Sequence, residues 1–453
     1  MFDKVKRYIE LNKMLDKCPG VVVGLSGGAD SVCLLHIFKR LREEYHFELL
    51  AVHVHHGIRG DEADRDADFC QNLCDVWEVP LKLYRYDIPR LAREEHLTEE
   101  EAGRHIRYRC FEECAVKGYR IAVAHHINDQ AETVLFNICR GSGQKGVGGM
   151  QPVRGRIIRP LLCCSRDEIE NYLEERNVSY CVDSTNLTGD YSRNALRNRI
   201  VPLLEENINS KAVENIALLA NQSRECENYL EKLTGQKYMA SVSYRNSMLL
   251  LRRLEKEDAF MAKRLLRRAV GEMNHSLKDV GAVHIERLMQ LVNQQNGSRC
   301  NIKNGLWAER TREGILFYKE ESLIKREPVD VDIPSEIRPW DNAGSFTFRL
   351  MEWSADKKIS NELYTKCFDY DKIENSLQLR SWQSGDVIAI DDVGHHKTMK
   401  QYFVDAGVPR ADKDNRILLA DGNHIVWIVG ERIGADYKIN NETRRVLEVK
   451  YGG

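Results

Sequence analysis

The chain has 453 residues, 42% of them hydrophobic, and a net charge of −2. That length exceeds one ordinary domain, so about two to three are expected, each with enough apolar residues for a core. The near-balanced charge excludes a polycation, so any nucleic acid must be held by local basic patches.

The opening MFDKVKRYIELNKML has the pattern of an amphipathic helix with charges throughout, which does not suit a signal peptide or a membrane span. No association with membranes is expected. Residues 20–130 alternate strand and helix. The predicted strands are 21–25, 47–54, 81–86 and 120–125; the predicted helices are 31–44, 61–78, 98–117 and 129–140. Thr98-x-x-Glu101 opens the third helix as a capping box. Strands spaced by such helices imply βαβ units and a Rossmann-like parallel sheet, an α/β fold whose ligands bind beyond the carboxyl ends of the strands. Thirteen cysteines include no CxxC pair; Cys70/Cys74 and Cys110/Cys114 sit four apart, on one face of a helix. They read as reduced thiols filling cores in a cytoplasmic protein.

Three strand ends carry chemistry. After the first comes Ser26-Gly27-Gly28-Ala29-Asp30-Ser31. A strand feeding a glycine turn and then a helix N-terminus is an anion site, and Asp30 puts a carboxylate where a phosphate-bridging magnesium ion wants one. The loop lacks the lysine of a Walker A motif and resembles the SGGxDS loop of PP-loop ATP pyrophosphatases, which split ATP between the α and β phosphates. After the second strand, His53, His55, His56 and Arg59 either frame a nucleotide or are a solvated loop. The helix EEEAGRHIRYR puts Arg104, Arg107 and Tyr108 on one face, as a phosphate clamp or a salt-bridged surface.

After the fourth strand, AHHINDQAET concentrates His125, His126, Asp129 and Glu132. Asp129 and Glu132 share a helix face and can hold magnesium, orient an amine or take a proton; the plainer reading is a helix cap and a first-turn acid. Zinc on the adjacent histidines is disfavoured by the lack of a spaced partner.

Residues 141–156 hold six glycines and read as a long mobile loop of the kind that forms lids. A helix is expected over about 165–176. DSTN at 183–186 is a turn cluster, and a helix from Arg193 is expected to stop near Pro202, with Arg193 and Arg197 on one face. Residues 211–235 read as a long helix. MAKRLLRRAVGEM carries Lys263, Arg264, Arg267 and Arg268, either an RNA-facing stripe or a solvated face. A hairpin-like region follows at 300–319, then a charged, proline-containing linker. Residues 362–450 are β-rich with a short helix at 398–406, and Asp421-Gly422 marks a hairpin. The organisation expected is a catalytic domain at 1–208, a helical and mixed domain at 209–330, a linker at 331–361 and a β-rich domain at 362–453.

SGGADS, HVHHGIR, EEAGRHIRYR, AHHINDQAET, CRGSGQKGVGGM, RPLL, DSTN, YSRNALRNRIVP, LRSWQSGD, HHKTMKQYFVDAGVP and WIVGERI occur here in order. This set resembles the bacterial tRNA(Ile)-lysidine synthetases over nearly the whole chain. The resemblance implies that ATP adenylates the C2 oxygen of the wobble cytidine in the CAU-anticodon isoleucine tRNA. The side-chain amine of free L-lysine then displaces AMP. It implies that Ser26, Gly27, Gly28, Ala29, Asp30, Ser31 and His53 bind ATP and that Asp30 and Asp129 hold Mg2+. His126, Asp129 and Glu132 would then handle lysine, while Arg104, Arg107 and Arg193 would face phosphate or RNA. A homodimer is compatible with it. The family usually has two adjacent aspartates where this chain has Asn128-Asp129, so Asn128 is left without a catalytic role. A PP-loop thiolase needs CxxC sulfur or cluster ligands, which are missing.

Overall fold

The computed structural model describes residues 1–57, 61–181, 194–245, 247–323, 325–341, 343–353 and 363–452. It divides into two compact units, Met1–Glu231 and Lys232–Gly453.

The first unit runs α1 (Phe2–Leu11), β1 (Gly20–Gly24), α2 (Ala29–Tyr45), β2 (Glu48–His55), α3 (Asp61–Trp77), β3 (Leu81–Arg85), α4 (Ile88–Glu95) and α5 (Glu99–Cys114). It continues with β4 (Arg120–Ala122), α6 (Ile127–Cys139), α7 (Gln144–Val147), β5 (Val153–Arg154), β6 (Ile157–Ile158) and α8 (Arg166–Glu174). The sheet order is β3-β2-β1-β4-β6-β5, parallel except for β5 against β6. The valine run of β1 explains the architecture. Val21 and Val23 join the core layer beneath α1, α2, α3 and α8, while Val22 joins the opposite layer with α4 and α5. A strand covered on both faces needs a continuous apolar run. Cys70 and Cys74 fill the first layer and Cys110 and Cys114 the second, and all thirteen cysteines are free. Thr98 and Glu101 cap α5 reciprocally, as expected.

Three local expectations change. The sequence reading did not assign α4, a short helix capped by Asp87, whose carboxylate accepts the Arg90 N–H at 3.0 Å. Residues 141–156 form α7 and the β5–β6 hairpin strand rather than one long loop. Gln130 ties this segment down, accepting the Met150 N–H at 2.7 Å and donating to the Met150 carbonyl at 3.2 Å. Gly149 has φ +59°, and a Cβ there would meet Gln130 Oε1 at 2.7 Å, so only glycine fits beneath that amide. Arg224 adds bonds to the Gly148 and Met150 carbonyls. The helix expected to end at Pro202 continues: Leu196–Ile200 form a π-helical turn that leads into α9 (Val201–Asn207), with Pro202 in its first turn. The wider turn accommodates a residue that has no N–H and whose ring presses on the preceding turn. The start of that helix at Arg193, and DSTN, lie outside the described residues.

A 30-residue helix, α10 (Ala212–Ser241), contains the division between the units. In the second unit, β7 (Val242–Arg245), β8 (Met248–Arg252), β9 (Arg299–Asn301), β10 (Leu306–Arg310) and β11 (Gly314–Lys319) form a sheet ordered β7-β8-β11-β10-β9. It shares a core with α11 (Ala259–Asn274) and α12 (Ala282–Val292). Next come β12 (Val329–Asp330), β13 (Ser335–Ile337), β14 (Ser345–Glu352), β15 (Thr365–Asp369), β16 (Leu377–Arg380), β17 (Val387–Ala389) and β18 (His396–Thr398). The chain ends with α13 (Met399–Asp405), α14 (Arg410–Asn415), β19 (Leu418–Asp421), β20 (His424–Ile428) and β21 (Arg445–Gly452). The sheets β12-β16-β19-β20-β17-β18 and β13-β14-β21-β15 enclose one core around Phe346, Phe348, Phe368 and Trp427. Residues 331–361, read as a linker, contribute β13 and the eight-residue β14, which pairs along its length with β21.

Candidate active site

In the sheet, β1 lies between β2 and β4, with β3 and β6 beyond them. The chain reverses its direction of progress across the sheet between β1 and β4, and ligands bind beyond strand ends at such a switch point. The segments leaving β1 and β4 carry SGGADS and AHHINDQAET.

The loop after β1 is held from beneath. The Leu25 N–H bonds the Val52 carbonyl at 2.9 Å, and His53 Nδ1 lies 2.8 Å from the Leu25 carbonyl. Burial lowers the His53 pKa, so the neutral ring donates to that carbonyl. His53 thus anchors the entry to the loop. The Ser31 hydroxyl accepts the Ser26 N–H at 3.1 Å and donates to the Gly28 carbonyl at 2.9 Å, drawing the loop into a ring. Gly27 has φ +93°, in the left-handed region, and a Cβ there would approach Cys70 Sγ at 3.4 Å. Among the described residues, a Cβ on Gly28 would meet only Ser26 Oγ within 4 Å, so they leave the space over the backbone open at the N-terminus of the 17-residue α2. Open backbone, unspent helix N–H groups and an exposed Ser26 make a cradle of the right chemistry for phosphate oxygens.

Asp30, in the first turn of α2, faces the second segment. Its Oδ2 lies 3.7 Å from His126 Nε2, while its Oδ1 is buried with no hydrogen-bond partner among the described residues. Burial raises its pKa, opposed by His126. A carboxylate oxygen buried without a donor fits a cation, so the residues present suit Mg2+.

His126 precedes α6, and Asp129 takes the plainer of the roles the sequence left open, that of a cap, while also pairing with charged neighbours. Its Oδ2 accepts the His126 N–H at 3.0 Å, capping the helix, and lies 3.5 Å from His126 Nε2. Its Oδ1 accepts from Arg197 Nη2 at 2.8 Å. Burial pushes the Asp129 pKa up, but His126, His125, the backbone bond and Arg197 outweigh it and hold the carboxyl below the ordinary range. Glu132 takes a two-pronged contact from Arg197, at 2.6 Å from Nε and 3.1 Å from Nη2. Burial still raises the Glu132 pKa. Burial likewise works to lower the Arg197 pKa, but Glu132, Asp129 and Asp30 raise it overall.

The structure therefore brings Asp30, His126, Asp129 and Glu132 together and adds Arg197. The sequence reading noted Arg197 one turn from Arg193 but carried only Arg193 forward, which lies outside the described residues. Arg104 and Arg107 are exposed on α5, with the Arg104 guanidinium 5.2 Å from the Tyr108 ring centre. They belong to the surroundings of His125, whose pKa burial lowers to about 4, with Arg159, Arg104 and Arg107 helping and Asp129 opposing. Asn128 Oδ1 accepts the Arg166 N–H at 3.2 Å and so caps α8. Among the described residues, no three-ligand metal cluster includes His125 or His126.

A PP-loop domain family model matches residues 3–204, and a TilS substrate C-terminal domain model matches residues 377–449. A tRNA(Ile)-lysidine synthase of Caldanaerobacter subterraneus subsp. tengcongensis is 33% identical over 455 residues, covering 100% of this chain and 97% of its own. The chain belongs to the tRNA(Ile)-lysidine synthase family. Relatives of the same name from Clostridium acetobutylicum (32% identical, 99% of each chain) and Parabacteroides distasonis (33%, 100% of each) are similar over the same span. It is thus a ligase with an ATP-using PP-loop domain.

Two charged features of the second unit make bonds within it. In LRSWQSGD, Arg380 and Asp386 are each 2% exposed and joined by two bonds of 2.8 Å. Arg380 also bonds the Gly422 carbonyl, and Asp386 accepts the Gln383 N–H. On α11, Lys263 pairs with Glu286 at 2.6 Å, Arg264 bonds Thr234 Oγ1 at 2.9 Å, and Arg267 bonds the Val280 carbonyl at 3.3 Å. Arg268 lies 5.2 Å from the Tyr238 ring centre.

Proposed function

We propose that this chain joins the side-chain amine of free L-lysine to C2 of the wobble cytidine of the CAU-anticodon isoleucine tRNA, converting ATP to AMP and pyrophosphate. The observation that carries this reading is the approach of Asp30, in the phosphate cradle, to His126 and through it to Asp129, which Arg197 joins to Glu132. Phosphate binding and amine handling then share one cluster.

In this reading Ser26, Gly27, Gly28, Ala29 and Ser31 receive the β and γ phosphates. Asp30 and Asp129 hold Mg2+, which when bound offsets charge on the departing pyrophosphate. The C2 oxygen is a poor leaving group, and transfer of AMP to it makes it a good one. The lysine ammonium, with a reference pKa of about 10.4, must then lose a proton before it attacks. Asp129, held anionic, orients the ammonium; His126, between two carboxylates, takes the proton. Arg197 keeps Asp129 and Glu132 in register. Arg104, Arg107 and Arg193 meet RNA or phosphate, and residues 209–330 and 362–453 hold the tRNA as further domains. No described helix is long and apolar enough to cross a membrane, and free cysteines suit a cytoplasmic setting. A homodimer is consistent with this reading.

Nucleoside mass spectrometry of that tRNA after incubation with the protein, ATP and lysine tests the proposal. The wobble cytidine should gain lysine with loss of water. An unmodified cytidine, or a gain of sulfur, would overturn it.

A further inference from the structure

The second unit holds a cluster of potential metal ligands that belongs to none of the segments described above as the candidate active site. β17 lies between β18 and β20. Ala389 on β17 pairs with His396 on β18, and Val387 pairs with His424 on β20. Ala389 and Val387 are two residues apart, so the pleat puts both histidines on one face of the sheet. Their ring centres are 5.9 Å apart and the rings perpendicular. The short helical turn Ala435–Tyr437 brings in Asp436, whose Oδ2 lies 2.7 Å from His396 Nε2. One donor atom from each of His396, His424 and Asp436 lies within 4.8 Å of the others.

The ring orientation is an independent indication. His396 Nδ1 lies 2.9 Å from the Gly394 carbonyl, which can only accept, so Nδ1 carries a proton. With Asp436 ionised, Nε2 carries a proton as well and donates to Asp436 Oδ2, and a metal ion would take the place of that proton between the two side chains. A ligating histidine is fixed in this way, its other nitrogen donating to a backbone carbonyl. The neighbouring charges are already paired: Lys438 with Asp392 at 2.6 Å and His395 with Asp391 at 2.7 Å. Neither pair competes for the cluster.

We propose that His396, His424 and Asp436 form a binding site for a borderline divalent transition metal, Zn2+ above all, on the surface of the β-rich region. Two imidazoles and one carboxylate match zinc in ligand type and number, and leave a position for water. The all-oxygen shell preferred by Mg2+ is not offered. Ligand atoms around tetrahedral zinc stand roughly 3.3 Å apart, so a small closure of the three side chains completes the set. Bound metal would join β18, β20 and the turn at Asp436, three segments distant in sequence, and so stabilise this part of the unit.

The full chain, stripped with chelator and free of affinity tags, is tested with ZnCl2 alone. Bound zinc is counted after gel filtration and unfolding is followed by calorimetry. The parent should retain zinc and melt at higher temperature with it. His424→Gln and Asp436→Asn should each lose about one equivalent and the associated rise, while melting like the parent in chelator. His395→Gln, outside the cluster, should behave as the parent. Co2+ in the same site should give a visible spectrum without thiolate charge-transfer bands, which separates it from the free cysteines. Equal zinc retention by the parent, His424→Gln and Asp436→Asn would overturn the proposal. So would a parent that retains none, in which case the His396–Asp436 contact is an ion pair only.

Discussion

The cradle at the N-terminus of α2 and the basic helix α11 both attract attention by their charged or polar residues, yet they are built in opposite ways. Around the cradle, bonding capacity is left over among the described residues: Asp30 Oδ1 is buried without a donor, and a Cβ on Gly28 would meet only Ser26 Oγ. On α11, the cations are engaged with Glu286, Thr234, the Val280 carbonyl and Tyr238. Buried polar atoms without partners are costly, and one that lies beside an open phosphate cradle is placed to meet a cation. Charges with internal partners are already engaged. The number of charged residues in a segment is therefore a poorer guide to chemistry than what the fold leaves unpaired.

Arg197→Ala tests the first half of the comparison with the largest effect on stability. It leaves Asp129 and Glu132 uncompensated, and because Arg197 is about a third exposed the loss should be about 2–3 kcal/mol, less than for a fully buried pair. Chemical denaturation would measure this, with lysine incorporation falling in parallel; unchanged stability would detach Arg197 from the carboxylates. The double variant Arg267→Ala with Arg268→Ala tests the second half. It should cost about 1–2 kcal/mol through the lost carbonyl bond and ring contact. The salt dependence of tRNA binding should stay close to the parent's. A clearly flatter slope would return the helix to the RNA interface.

The smallest effect concerns pH. Asp129 has a folded-state pKa below its reference value of 3.8. Its stabilising contribution is therefore complete above that reference value and is lost as pH falls through the folded-state value. Asp129→Asn should be less stable than the parent at neutral pH, and the gap should close on acidification. A gap independent of pH would remove the ionised carboxylate from the explanation.

Much of this site was legible before any coordinates. The valine run of β1, the glycine turn and the alternation of elements pointed to a parallel sheet with SGGADS and AHHINDQAET at one edge, because strand burial and helix capping are local signals. Arg197 was only partly legible: its distance from Glu132 along the chain is closed by tertiary structure, and a π-helical turn sets its reach. The local order within 141–156 was not legible, because composition does not reveal that Gln130 and Arg224 bond that segment. The strand β14 was missed because its partner, β21, lies at the far end of the chain. Asn128 shows the same limit, since its amide caps a helix almost 40 residues away.

The central claim is that the unpaired carboxylate oxygen of Asp30 belongs to the phosphate chemistry and not to the fold. Pyrophosphate release and tRNA affinity, measured together for Asp30→Ala and the parent, test it most directly. The expected result is loss of pyrophosphate release with tRNA affinity and melting temperature close to the parent's. Full pyrophosphate release by the variant would contradict the account.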